Sequence, residues 1–117
     1  WRLPAFAGFG TFGGPLRRSL SGPATLPTAT DVREALAMGT YPQFQNALEG
    51  GAGLSSFHQM HNALHGWIGG HMNSPVASPF DPLFYLHHCN IDRLWAMWQA
   101  DGHADEYPLN GGASQHH

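Results

Sequence analysis

The sequence predicts a mainly α-helical fold, and three observations carry that reading. His61 and His65 stand four apart in a run that reads as helix, which puts both imidazoles on one face, a turn apart. Asp81-Pro82 opens a second helical run, with Asp as N-cap and Pro at the first helical position. Ahead of both, two shorter stretches combine helix-start residues with glycines that stop them.

In chain order, residues 1–27 are rich in Gly and Pro, with Phe6, Phe9 and Phe12 spaced by glycines and no sustained period. This reads as an irregular strip that lies on another surface, since it cannot bury its own aromatics. Arg17-Arg18 reads as a solvated pair in preference to a phosphate contact. Thr28 to Met38 is expected to be a short helix capped by Thr30 or Asp31, with Val32, Ala35 and Leu36 inward and Gly39 as the stop. Tyr41 to Leu48 is expected to be another, entered through Pro42 and ended by Gly50-Gly51. Glu49 lies at its end, where a carboxylate faces the negative pole of the helix dipole, so an acid there invites a reason.

The first histidine helix runs from about Leu54 to Trp67, with Ser55 or Ser56 as cap and Gly69-Gly70 as the end. His58, His61 and His65 share a face, but seven residues at 1.5 Å rise separate the outer two by roughly 10 Å. That is too far for both to reach one ion at bond lengths of about 2 Å, so one adjacent pair must be chosen. Residues 69–82 form a Gly/Pro-punctuated loop of a length that suggests a functional role. The second histidine helix runs from Pro82 to about Ala100, with Leu83, Leu86, Leu94, Trp95 and Trp98 available for packing. HADEYPLNGGASQHH reads as a fraying tail, and His116-His117 as native sequence or the stub of a tag.

The 117 residues are enough for one small domain, and 42% hydrophobic content with 12% aromatic is adequate for a core. With five Arg, no Lys, eight carboxylates and a net charge of -3, there is no basic footprint for nucleic acid. No apolar run approaches membrane-spanning length, so no membrane partner is expected, and the compartment stays open. A lone cysteine, Cys89, excludes an internal disulfide and reads as a packed, small apolar side chain. Nine His are the outlying number. Imidazole is the commonest transition-metal ligand, yet it suits copper, zinc, iron and nickel alike.

Any one of these histidines is most simply a core or surface residue on a helix; three converging from two capped helices point to a metal. The zinc hydrolase motif HExxH is excluded because position 62 is Asn where that chemistry needs a Glu base.

HNALHGWIGGHM followed by SPFDPLFYLHHCNIDRLWAMWQ resembles the second copper-binding region, CuB, of the tyrosinase and polyphenol oxidase family, whose pattern is HNxxHxxxGG and then SPxDPxFxxHHxxxDRxW. The likeness is close over residues 49–99, and LPTATDVREALAMGTY resembles the linker ahead of this region in bacterial tyrosinases. It implies half of a four-helix bundle of the di-copper type, in which two coppers, each on three histidines, bind dioxygen as co-substrate. By position it implies His61, His65 and His88 as the ligands of one copper, with His87 pointing elsewhere. It further implies that Asn62, with an upstream Glu for which Glu49 is the candidate, holds a water that deprotonates an incoming phenol. Val76, Ala77 and Ser78 would lie in the loop that sets substrate access, and Asp92 would orient a ligand imidazole or pair with Arg93 or the backbone. Phe80 departs from the Asn frequent in SPNDP.

The CuA region is absent, and residues 1–57 contain no His to replace it. Residues 1–117, starting at Trp1, therefore read as a single piece, the C-terminal CuB part of the copper domain. As one chain of a split or cleaved enzyme it would need a CuA-bearing polypeptide bound through a large apolar interface. The implied activity is ortho-hydroxylation of monophenols and oxidation of catechols to o-quinones. Catechol or o-aminophenol oxidation alone, a hemocyanin-like oxygen carrier, and a subunit with a vestigial site are the alternatives.

Overall fold

A computed structural model describes residues 2–3, 14–20, 26–50 and 59–106. Four α-helices dominate: α1 (Ala29–Leu36), α2 (Tyr41–Glu49), α3 (Met60–Ile68) and α4 (Pro82–Trp98). Two-residue strands β1 (Arg2–Leu3) and β2 (Gly14–Pro15) pair antiparallel, with Arg2 opposite Pro15, inside the stretch expected to be irregular. Phe6, Phe9, Phe12, Ser55, Ser56, His58 and the tail beyond 106 lie outside the described residues. No helix among the described residues is long and apolar enough to cross a membrane.

Helix α1 is capped two residues before Thr30, the earlier of the two expected caps. Thr28 is the N-cap: its hydroxyl accepts from Asp31 N at 3.2 Å, while the Asp31 carboxylate accepts from Thr28 N at 2.6 Å. The reciprocal pair satisfies two orphan donors where a lone cap satisfies one. Helix α2 carries Pro42 in its first turn and stops at Gly50, whose φ of 78° needs a residue without a Cβ.

The core lies where α1, α2 and the second half of α4 meet. Ala35, Phe44, Ala47, Leu48, Met60, Leu94 and Trp98 are buried together. Phe44 stacks on Trp98 with ring centroids 4.8 Å apart, and Tyr41 sets its edge on Trp95 at 5.1 Å. The Trp98 indole N–H donates to Met38 O at 2.7 Å, so its polar atom is satisfied inside the core.

Beyond Trp98 the chain does not fray at once. His103 lies flat on Trp98 at 4.2 Å and meets Glu106 Oε1 at 3.1 Å. Glu106 Oε2 in turn accepts the Tyr41 N–H at 3.1 Å. Thr40 makes no side-chain cap bond, and this carboxylate serves the first N–H of α2 from sixty-odd residues away.

Of the Arg17-Arg18 pair, Arg17 is exposed as expected but Arg18 is not simply solvated. Arg18 makes a bidentate ion pair with Asp81, Nε to Oδ2 at 2.8 Å and Nη2 to Oδ1 at 2.7 Å, and Asp81 is completely buried. The pairing arises because Asp81 also caps α4, accepting from Leu83 N at 2.8 Å, and a buried carboxylate needs a cation as well as an amide. Main-chain bonds from Ser19 N to Ile68 O and from His71 N to Arg17 O seat this strip on the end of α3. Gly69 and Gly70 have φ of 62° and 57°, and a Cβ on Gly70 would strike the Arg17 carbonyl. The 69–82 loop is more ordered than its composition suggested, holding 3₁₀ turns at Gly70–Asn73 and Ser78–Phe80.

Candidate metal centre

Helix α3 presents His61 and His65, and α4 presents His88 from its second turn. The Nε2 atom of His88 lies 3.3 Å from Nε2 of His61 and 3.3 Å from Nε2 of His65. The three offer ligand atoms that all fall within 4.8 Å of one another. His58 lies outside the described residues, so no distance sets the two histidine pairs side by side.

Each α3 imidazole is held by its other nitrogen. His65 Nδ1 is 2.7 Å from the main-chain carbonyl of Met72. A carbonyl only accepts, so Nδ1 carries the proton and Nε2 keeps its lone pair. His61 Nδ1 is 2.9 Å from Asn62 Oδ1, and the Asn62 amide nitrogen donates to the main-chain carbonyl of Glu49. That second bond turns Oδ1 toward His61, which again puts the ring proton on Nδ1. His88 is braced by Phe84, one turn earlier on α4, whose ring stacks on it at 4.0 Å. Its pKa is lowered to about 4, first by burial and then by the neighbouring His61 and His65, with the Asp92 charge opposing the shift.

Three imidazoles whose ligand atoms converge are a donor set for a cation. With metal–nitrogen bonds of about 2.0 Å, nitrogens 3.3 Å apart subtend roughly 110° at the ion. Both pairs that include His88 thus suit one copper ion, and the ligand atoms of all three residues lie within 4.8 Å of one another. A pocket of about 400 Å3 opens in front of them, walled also by Asn62, Met72, Ser78 and Phe84, and this is within the size range of small-molecule sites.

The other residues singled out in the sequence are placed as follows. Ser78 is buried and lines the pocket, Ala77 is buried but does not, and Val76 is 59% exposed and outside it. The Glu49 carboxylate lies 3.4 Å from Gln45 Nε2, so the contact between Asn62 and Glu49 runs through the Glu49 main chain. Asp92 is exposed, and Arg93 bonds to Asn90 Oδ1 at 3.2 Å. His87 is buried and donates from Nε2 to the carbonyl of His61 at 2.9 Å. Cys89 is exposed, contrary to expectation, because it falls on the face of α4 that also shows Tyr85 and Leu86.

Sequence reasoning missed Met72 and Phe84. Phe84 was legible, since it stands four residues before His88 on the same helix face. Met72 acts through its carbonyl, which no side chain announces.

Such a centre defines a histidine-ligated metalloprotein. The family model for the common central domain of tyrosinase matches residues 16–101, and the chain belongs to the tyrosinase family, whose members are type-3 copper proteins. It is 43% identical over 107 residues to a tyrosinase of Streptomyces antibioticus, an alignment covering 83% of this chain and 37% of that protein. It is 48% identical over 63 residues to grixazone synthase of Streptomyces griseus, covering 51% of this chain and 20% of that protein. Hemocyanin β-C chain unit D of Helix pomatia is 55% identical over 47 residues, 37% of this chain and 12% of that protein. The chain spans little more than a third of the length of the Streptomyces tyrosinases it matches.

Proposed function

We propose that this chain is the CuB half of a copper oxidoreductase that hydroxylates monophenols at the ortho position and oxidises catechols to o-quinones with dioxygen. The observation that carries the reading is the convergence of three imidazoles, with the tautomers of the two on α3 set by Met72 O and Asn62 Oδ1. Copper, when bound, supplies the redox centre that activates dioxygen. His61, His65 and His88 hold it, and their bonded Nδ1 atoms keep the two α3 rings from rotating away.

In this reading Asn62 and Glu49 hold the water that takes the hydroxyl proton of an incoming phenol. Support comes from the position of Asn62 in the pocket wall; its bond to Glu49 is to the main-chain carbonyl. Ser78 contacts the ring of the substrate, with Ala77 beneath the loop and Val76 at its outer side. Asp92 acts on His88 through its charge, which favours the protonated form and so works slightly against the neutral, ligating imidazole.

The chain works with a CuA-bearing polypeptide that brings the second histidine triad. Three histidines serve one ion, and Tyr85, Leu86 and Met97 on α4 are 60%, 69% and 43% exposed, an apolar face suited to an obligate interface. The 55% identity to a hemocyanin unit favours a second reading, an oxygen carrier that uses the same copper centre without turnover.

Oxygen uptake by the purified, copper-loaded protein with a monophenol and a catechol in parallel separates these readings. Uptake with both substrates is expected, together with a co-purifying polypeptide that carries a second histidine-rich region. Turnover of the catechol alone reduces the proposal to a catechol or o-aminophenol oxidase, and reversible oxygen binding without consumption of either substrate replaces it with the carrier. Replacing His61, His65 or His88 should each remove one copper, while replacing His71, whose Nδ1 accepts from Arg17 N at 2.9 Å, should leave the copper count unchanged.

A further inference from the structure

His87 is the one histidine of the α3/α4 cluster that the copper site does not use, and it is the most buried of them, at 5% exposure. Its ring lies against two ligands at once. It stacks on His61 with centroids 5.3 Å apart and planes 11° from parallel, and meets His65 edge-on at 5.1 Å. Its Nε2 is 2.9 Å from the main-chain carbonyl of His61. That oxygen can only accept, so Nε2 bears the proton and has no lone pair for a metal. The bond that ties α4 to α3 thus bars ligation through Nε2, and His87 is not among the three residues whose ligand atoms converge.

We infer that His87 is a positioning residue for the copper centre: its ring spaces the two ligand helices and its Nε2–H anchors the first turn of α3 beneath His61. The inference rests on the three-histidine reading above. The geometry required is tight, because the useful angle at the ion depends on Nε2 separations of 3.3 Å that span the two helices. Packing and main-chain bonds within α3 fix His61 relative to His65, but only contacts between the helices fix either relative to His88. Among the described residues, His87 supplies a hydrogen bond and a ring contact across that boundary beside the ligands. Partners that orient ligands in this way commonly govern metal affinity without touching the ion.

Two substitutions separate the ring from the donor. His87→Phe keeps an aromatic of similar outline and removes the N–H. His87→Gln places an amide N–H at a comparable reach and removes the ring stack. Copper affinity of the full chain, measured by competition with a chromophoric chelator, and the electron paramagnetic resonance spectrum of the Cu(II) form are the readouts, alongside the thermal melt of the metal-free chain. His87→Phe should keep one copper per three-histidine site but bind it about tenfold to a hundredfold more weakly, with an altered spectrum. His87→Gln should recover most of the affinity if the anchoring bond dominates.

A His87→Phe chain that melts like the original and binds copper as tightly, with an unchanged spectrum, overturns the inference. Equal weakening in both variants that tracks a lower melting temperature also overturns it, because the effect is then general stability. Loss of the copper altogether in His87→Phe would make His87 a ligand and overturn it as well. If the unsubstituted chain binds no copper through His61, His65 and His88, the reading of the site itself has failed, and that outcome is distinct from all of these.

Discussion

Helix α4 runs through two environments that are built differently. Its second half ends in Leu94 and Trp98, which sit with Phe44, Ala35 and Ala47 in a core where nearly every contact is apolar and water is excluded. Its first half carries His88 and His87 among His61 and His65, where rings are held by hydrogen bonds to main-chain carbonyls and to an amide. Burial is non-directional and roughly proportional to area, so the aromatic end supplies stability and tolerates repacking. Hydrogen bonds fix atoms and lone pairs, so the histidine end supplies geometry and contributes less to stability. One helix therefore joins a region that supplies stability to one that supplies geometry.

The largest break in this comparison is Trp98→Ala. It removes a side chain that is fully buried, stacked on Phe44 and under His103, and it strips the donor from Met38 O. A loss of about 3–5 kcal/mol is expected, read as a fall in the midpoint of urea denaturation. The fraction that remains folded should still take up copper. His88→Ala should do the reverse, abolishing copper uptake with a much smaller shift in the midpoint.

Acid tests the histidine end next. Burial, foremost, lowers the His87 pKa to about 4, with His65, His61 and His88 adding to it against the bond to His61 O. In the unfolded chain the same imidazole takes its proton near 6.5. Between these values the unfolded state binds more protons, so the metal-free chain should lose stability as pH falls from 6.5 toward 4 and level off below. For His87 alone this amounts to about 3 kcal/mol at pH 4, and His88, lowered in the same direction, adds to it. Denaturation midpoints at stepped pH check it; a flat profile across that window would mean these imidazoles are not buried neutral. Copper retention should also extend below the ordinary imidazole range at His88.

Arg18→Met acts at the junction of the strip and α4. It leaves the completely buried Asp81 carboxylate with the Leu83 amide but no cation. About 2 kcal/mol should be lost, below the figure for a fully buried pair because Arg18 is 35% exposed. The depressed Asp81 pKa, set chiefly by its bond to Arg18, should rise in the variant; carboxyl titration by NMR would register it.

The same contrast explains what could be read in the sequence. Helices α2 and α4 were legible because Pro42, Asp81-Pro82 and Gly50 are local signals whose chemistry acts within a few residues. His61, His65 and His88 could be brought together through helix periodicity and a long motif. The bonds that hold them could not: Met72 O to His65, Glu106 to Tyr41 N and Arg18 to Asp81 join residues far apart in sequence or use main-chain atoms with no side-chain signature. The exposure of Cys89 was missed for a related reason, since the face of α4 it occupies is decided by where α1 to α3 pack.

The smallest expected effect is also the cleanest control. Thr28 caps α1 at the edge of the aromatic core, exchanging bonds with Asp31 that are entirely local and solvent-exposed. Thr28→Ala removes the hydroxyl that accepts from Asp31 N, and it should lower stability by about 1 kcal/mol. The inward residues of α1, Val32, Ala35 and Leu36, meet the core around Leu94 and Trp98. Copper affinity and the Cu(II) spectrum should therefore stay unchanged while the denaturation midpoint shifts slightly. A Thr28→Ala chain whose copper affinity fell along with its midpoint would show that the two ends of α4 are not separable, and stability lost anywhere in the core would then be read at the metal.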